Sequence, residues 1–244
     1  MRHLNDFEHM ANKKEESVRI QTSVLNALEK KALIWLAQRQ PSWMTSDMLT
    51  FIGTCGSVLI ALGYILSSGN INWLWLSTLG FVINWYGDSL DGTLARFRNC
   101  QRPVYGYYLD HTVDAVNEFI MFLGVGLSGL MHLELALLIF VLYLMLTINV
   151  SINAHLKKEF RLTYAGMGPT EFRLIMILVN TLFIFIRPLN EFSHTVTLLG
   201  HELVFRALDY VAVVIFAVLL VIYSVSVISD ARWYAKNDPP RKQS

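Results

Sequence analysis

The sequence predicts an all-α integral membrane protein, with six transmembrane helices and an amphipathic helix on the cytoplasmic side before the first. Three observations lead there. The 244-residue chain is 54% hydrophobic and only 16% charged, with a mean hydropathy of +0.42, whereas soluble domains carry roughly 25% charged residues. Six stretches hold the ~20 mostly apolar residues that a bilayer span needs. Lys and Arg gather in alternate connections, as they do on the cytoplasmic side of multi-pass proteins.

Residues 1–46 form a juxtamembrane segment. Its first 40 residues are polar and mixed in charge, without the short apolar core of a secretory signal. Within it Val24, Leu25, Leu28, Leu33, Ile34, Trp35 and Leu36 lie beside Lys30 and Lys31. This pattern fits an amphipathic helix, either on the inner leaflet or against the protein's own cytoplasmic face. The transmembrane domain follows over 47–231, with spans at 47–68, 71–97, 105–129, 132–156, 169–188 and 203–229. The second ends in an acidic motif and the third begins with another; the fourth is the most uniformly apolar. A polar tail, 232–244, contains Pro239 and Pro240 and is expected to be loose.

The loops orient the chain. Arg96, Arg98 and Arg102 lie between spans two and three, and Lys157, Lys158 and Arg161 between spans four and five. The N-terminal segment and the tail are also basic, while the opposite loops carry a single Arg, Arg187. Both termini and the acidic motif therefore face the cytoplasm, across the inner membrane in a bacterium. Near-zero net charge gives no sign of a nucleic-acid partner. Cys55 lies in an apolar span and Cys100 in a basic loop, so a mutual disulfide is not expected.

Asp88, Asp91, Asp110 and Asp114 fall within 27 residues. At 100° per residue, Asp88, Asp91, Gly92, Ala95 and Arg96 share an arc of about 140° on the second span. Gly106, Asp110 and Asp114 share about 80° on the third, with Asn117 on the same face. Gly92, Ala95 and Gly106 leave room for a ligand, and Arg96 can grip a phosphate through two N–H groups. Two carboxylates ~4 Å apart repel by about 4 kcal/mol at an effective dielectric near 20. Four together call for one or two Mg²⁺ or Mn²⁺ ions, since hard cations prefer oxygen ligands. Such a site suits phosphoryl chemistry on a diphosphate.

The run Asp88-Ser-Leu-Asp91-Gly92-Thr-Leu-Ala95-Arg96, then Gly106, Asp110 and Asp114, resembles the signature of the CDP-alcohol phosphotransferases, membrane enzymes with six spans. Nine residues separate Arg96 from Gly106 where the family pattern has eight, a difference confined to a loop. The resemblance implies a metal set of Asp88, Asp91, Asp110 and Asp114, with Gly92, Ala95, Arg96, Gly106 and Asp88 at the nucleotide. It implies Asp114 as general base, and homodimers as the assembly. Gly168-Pro169-Thr170-Glu171 and His111 look like features of the choline- and ethanolaminephosphotransferase branch. Glu171 would then face an ammonium group and His111 would assist Asp114. Pro-Thr-Glu is equally an ordinary helix start.

The expected activity is transfer of a phospho-alcohol group from a CDP-linked donor to a hydroxyl, with release of CMP and formation of a membrane lipid. His111 and Glu171 tilt the reading toward a CDP-aminoalcohol donor and a lipid alcohol acceptor. The alternative is CDP-diacylglycerol with inositol, inositol phosphate, serine or glycerol phosphate. A phosphorylated acceptor needs further cations, which Lys157, Lys158, Arg161 and Arg173 could supply. Two other classes compete. A prenyltransferase also uses Asp-rich motifs, but gives the Gly and Ala-Arg positions no role. A divalent-cation transporter would place its carboxylates near the bilayer midplane rather than at span ends.

Overall fold

The computed structural model describes residues 18–20, 25–157, 159–161, 168–198 and 201–240. Among these, helix dominates. α1 (Asn26–Gln38) precedes α2 (Ser46–Ser67), α3 (Leu74–Phe97), α4 (Pro103–Leu127) and α5 (Leu133–Lys157). α6 (Pro169–Phe185), the short α7 (Arg187–Asn190) and the long α8 (Ala207–Asn237) complete the bundle. The helices at Ser46–Ser67, Leu133–Leu156 and Ala207–Asn237 are long and apolar enough to cross a membrane. α3 and α4, also expected as spans, carry the acidic motif, and α6 has only 17 residues.

Local chemistry sets the helix ends. Thr45 Oγ1 accepts from the Met48 amide at 3.2 Å and caps α2. Pro103 and Pro169 occupy first turns, where a missing N–H costs nothing. Pro188 follows the break at Ile186, so α6, the expected fifth span, stops short of residue 188. Gly129, at φ +72°, makes the reversal between α4 and α5. α8 starts at Ala207 rather than 203 and runs on to Asn237, where a loose tail was expected. Its last turns are anchored by the Tyr234 hydroxyl, which donates to Asn153 Oδ1 at 2.9 Å.

The chain is not purely helical. β3 (Ser193–Leu198) and β4 (His201–Arg206) form an antiparallel hairpin, with Ser193 opposite Arg206 and Leu198 opposite His201. β1 (Val18–Ile20) pairs in parallel with β2 (Glu159–Arg161). The hairpin lies where the sequence suggested a loop and the start of a span; its Thr-Val-Thr alternation is too short to stand out beside long apolar runs.

α2 and α3 pack through a seam of small residues. A Cβ on Gly56 would lie 2.4 Å from the Asn84 amide nitrogen, and one on Gly87 would lie 2.3 Å from that of Gly53. Polar groups lock the seam: Asn84 Nδ2 donates to Gly53 O (3.1 Å) and Ser57 Oγ (3.0 Å), and Ser77 Oγ donates to Ile60 O (2.8 Å). Two apolar clusters flank it. One gathers Ile60, Tyr64, Leu74, Phe81, Val125 and Phe183. The other packs Leu33 and Ala37 of α1 against Leu49, Leu90 and Leu94. α1 thus lies on the bundle, while Leu28, Ile34 and Trp35 remain exposed on its other side.

Candidate active site

On α3, Asp88 directly follows the seam residue Gly87, and Asp91 lies about one turn further on. Asp110 and Asp114 come from α4, which packs beside α2. Oxygen atoms of Asp88, Asp110 and Asp114 all lie within 4.8 Å of one another. Asp110 is exposed and the other two are half-buried. The site therefore opens at its Asp110 edge.

Asp91 stands apart from this triad and faces α2. Its Oδ2 accepts from the Thr50 hydroxyl at 2.7 Å, its Oδ1 from the Gly92 amide, and its carbonyl from Ser46 Oγ at 2.9 Å. Three of the four expected carboxylates are therefore grouped, and the fourth is held by the Thr50 hydroxyl and the Gly92 amide. Arg173 of α6 meets Asp88: its Nη2 lies 2.5 Å from Asp88 Oδ2, and its Nε donates to Asn84 Oδ1 at 2.8 Å. Arg96 lies over Gly92, where an added Cβ would meet its guanidinium at 3.4 Å, and it donates to Thr93 Oγ1 at 3.2 Å. Among the described residues, a Cβ on Gly106 would meet nothing within 4 Å. Ala95 is half-buried on the same helix as Arg96.

Other expected residues lie differently. The two carboxylate oxygens of Glu171 accept from the backbone amides of Leu25 (3.1 Å) and Gly168 (3.0 Å). That carboxylate ties the start of α6 to the start of α1. His111 stacks on Tyr107, with ring centroids 4.0 Å apart, and its Nδ1 lies 3.0 Å from Tyr107 O. With His155 it lines an apolar groove of about 530 Å³ between α4 and α5. The imidazole is 3.6 Å from Asp110 and flanks the carboxylate triad. Lys158 and the side chains of Lys157 and Arg161 fall outside the described residues.

Sequence reading missed several groups. Glu118 continues the Asp110–Asp114 stripe by one more turn, a spacing that would have found it. Its Oε2, like Oδ1 of Asn117, is buried without a hydrogen-bond partner among the described residues. Thr50 and Asn84 read as ordinary polar residues within apolar helices. Arg98 and Arg102 are tethers. Arg98 donates to the carbonyls of Gln40, Pro41, Ser42 and Met44, at 2.5 to 3.4 Å. Arg102 grips both oxygens of Asp47 at 2.7 Å, and this hydrogen bonding raises a guanidinium pKa that is already high.

The donor set is three carboxylates, which suits a hard divalent cation and no softer metal. A family model described as CDP-alcohol phosphatidyltransferase matches residues 43–221, from the loop before α2 into α8. The chain belongs to this family. With helices long and apolar enough to cross a membrane, it is a membrane protein of a transferase family. Over 84 residues it is 37% identical to a phosphatidylinositol phosphate synthase from Cutibacterium acnes (strain DSM 16379 / KPA171202). That stretch covers 34% of this chain and 38% of the relative's length.

Proposed function

We propose that the protein transfers the phosphatidyl group of CDP-diacylglycerol to a hydroxyl of a phosphorylated polyol of the inositol phosphate type, releasing CMP. The observation that carries this choice is the similarity to a phosphatidylinositol phosphate synthase. The two residues that favoured a CDP-aminoalcohol donor both have other work: Glu171 binds backbone amides and His111 stacks on Tyr107. The reading places all six long helices across the bilayer, with the carboxylate end in the cytoplasm.

In this reading Asp88, Asp110 and Asp114 hold a divalent ion, Mg²⁺ or Mn²⁺, with Asp91 adjacent. The chemistry such an ion supplies is neutralisation of the diphosphate oxygens. Arg96 binds the nucleotide's phosphate, and the open surfaces at Gly92 and Gly106 admit the nucleotide close to the backbone. Asp114 takes the proton from the acceptor hydroxyl. The hydroxyl oxygen bonds to the phosphatidyl phosphorus as the bond from that phosphorus to the CMP oxygen breaks. Half-burial of Asp114 keeps the proton acceptor away from bulk water, whereas Asp110 stays at the rim.

The test uses purified protein with Mn²⁺, offered CDP-diacylglycerol or CDP-choline and CDP-ethanolamine, each with a panel of acceptors. CMP release together with a phosphatidylinositol phosphate product by mass spectrometry is the expected result. Product from a CDP-aminoalcohol and diacylglycerol alone would refute the donor assignment.

A further inference from the structure

The transfer described above leaves one acid of the site without a task. Glu118 stands one turn beyond Asp114 on α4, and its Oε2 is buried with no hydrogen-bond partner among the described residues. Asp88 and Arg173 lie near enough for their charges to act on it. Arg173, however, commits its hydrogen bonds to Asp88 and Asn84. A buried carboxylate without a partner is unfavourable unless a donor reaches it.

Asp88 also belongs to the triad assigned to the divalent ion. A guanidinium 2.5 Å from Asp88 Oδ2 occupies the space in front of one of the two oxygens that Asp88 can offer an ion. Two like-signed cations at that carboxylate repel one another. An ion at that oxygen would displace Arg173 from Asp88. The displaced cation needs a second acceptor within the same semi-buried space, and Glu118 presents one.

We propose that Arg173 exchanges carboxylates: it pairs with Asp88 when the triad is empty and with Glu118 when a divalent ion is bound. Glu118 is then a positioning residue, which makes metal loading favourable by receiving the cation that the metal evicts. The inference rests on the triad being a metal site.

The test is Mn²⁺ binding to the full-length protein without substrate, read from the electron paramagnetic resonance signal of free Mn²⁺. Glu118→Gln should weaken Mn²⁺ binding about tenfold in the native background and by less than about twofold in an Arg173→Gln background, as expected for coupled neighbours. Arg173→Gln alone should tighten binding. Glu118→Asp, which keeps the charge, should recover most of the loss, and Glu118→Ala carries the same comparison should the Gln variant not fold. An equal loss in both backgrounds would make Glu118 a ligand or a fold element and overturn the exchange. So would an unchanged affinity in the native background. Absence of Mn²⁺ binding to the unmodified protein is a separate result, and it would overturn the metal reading and the exchange together.

Discussion

Gly87→Ala tests whether the seam between α2 and α3 sets the site. The new methyl would lie 2.3 Å from Gly53 N, 2.4 Å from Leu49 O and 2.6 Å from Gly53 Cα. All three are backbone atoms, so no side-chain rotation relieves the contact. Restoring ordinary contact, near 3.4 Å, requires the helices to part by about 1 Å in an interior packed like a crystal. Overpacking of this kind costs about 1–3 kcal/mol. Parting the helices also stretches the 3.1 Å bond from Asn84 to Gly53 O, worth about 1 kcal/mol more. The residue after Gly87 is Asp88, so the displacement passes directly to the carboxylate that meets Asp110 and Asp114. A misplacement of about 1 Å lowers turnover by about a hundredfold. The assay pairs a thermal midpoint of the solubilised protein with the rate of CMP release. Gly106→Ala is the contrast: among the described residues nothing lies within 4 Å of its added methyl, so the midpoint should hold or rise while the KM for the CDP-linked donor rises. Native midpoint and turnover in Gly87→Ala would refute the link from seam to site.

Asp114→Asn should keep nucleotide binding and lose about 10²–10⁴-fold in CMP release, the usual contribution of a general base; equal loss of binding, seen by calorimetry, would count against that role. Asp88→Asn should weaken Mn²⁺ and CDP binding together, and retained binding of both would remove it from the metal set. Thr50→Val removes the 2.7 Å hydrogen bond to Asp91; leaving that acceptor unsatisfied costs about 1–3 kcal/mol, visible as lower turnover that Thr50→Ser restores. Arg98→Ala unclamps four loop carbonyls and should lower stability by about 1–3 kcal/mol, measured by thermal unfolding, without changing the KM for the donor.

The six long helices and the acidic motif were legible because apolar length and i, i+4 spacing are local properties of a sequence. What escaped depends on partners far along the chain. Arg173 and Asp88 are 85 residues apart, and no pattern within α6 says which carboxylate its Arg will meet. Glu171 fitted both a helix cap and a ligand group; the Leu25 amide, 146 residues away, accounts for it as a junction between helices. Glu29 is a similar case. It accepts from Trp85 Nε1 at 2.9 Å and Thr170 Oγ1 at 2.5 Å, so an acid in the first turn of a juxtamembrane helix binds α1 to both α3 and α6. The hairpin at Ser193–Arg206 escaped for a different reason: alternation over six residues is a weak signal beside a 31-residue apolar helix.

A single physical criterion separates the glycines that build this protein from those that serve its site. At Gly53, Gly56, Gly80 and Gly87 the place of a side chain is already taken, or nearly so, by a neighbouring backbone. Selection for packing alone would keep those residues small. At Gly92 the nearest group is the flexible end of Arg96, and at Gly106 there is nothing. Among the described residues no atom requires glycine there, and both positions lie inside helices, where glycine costs about 1 kcal/mol relative to alanine. A residue that weakens its own helix and relieves no contact within the protein is explained by something outside the protein that must approach closely. The two glycines flank the Asp88–Asp110–Asp114 triad from α3 and α4. The tight seam therefore fixes where the carboxylates stand, and in the proposed function the open glycines are the side from which the nucleotide would reach them.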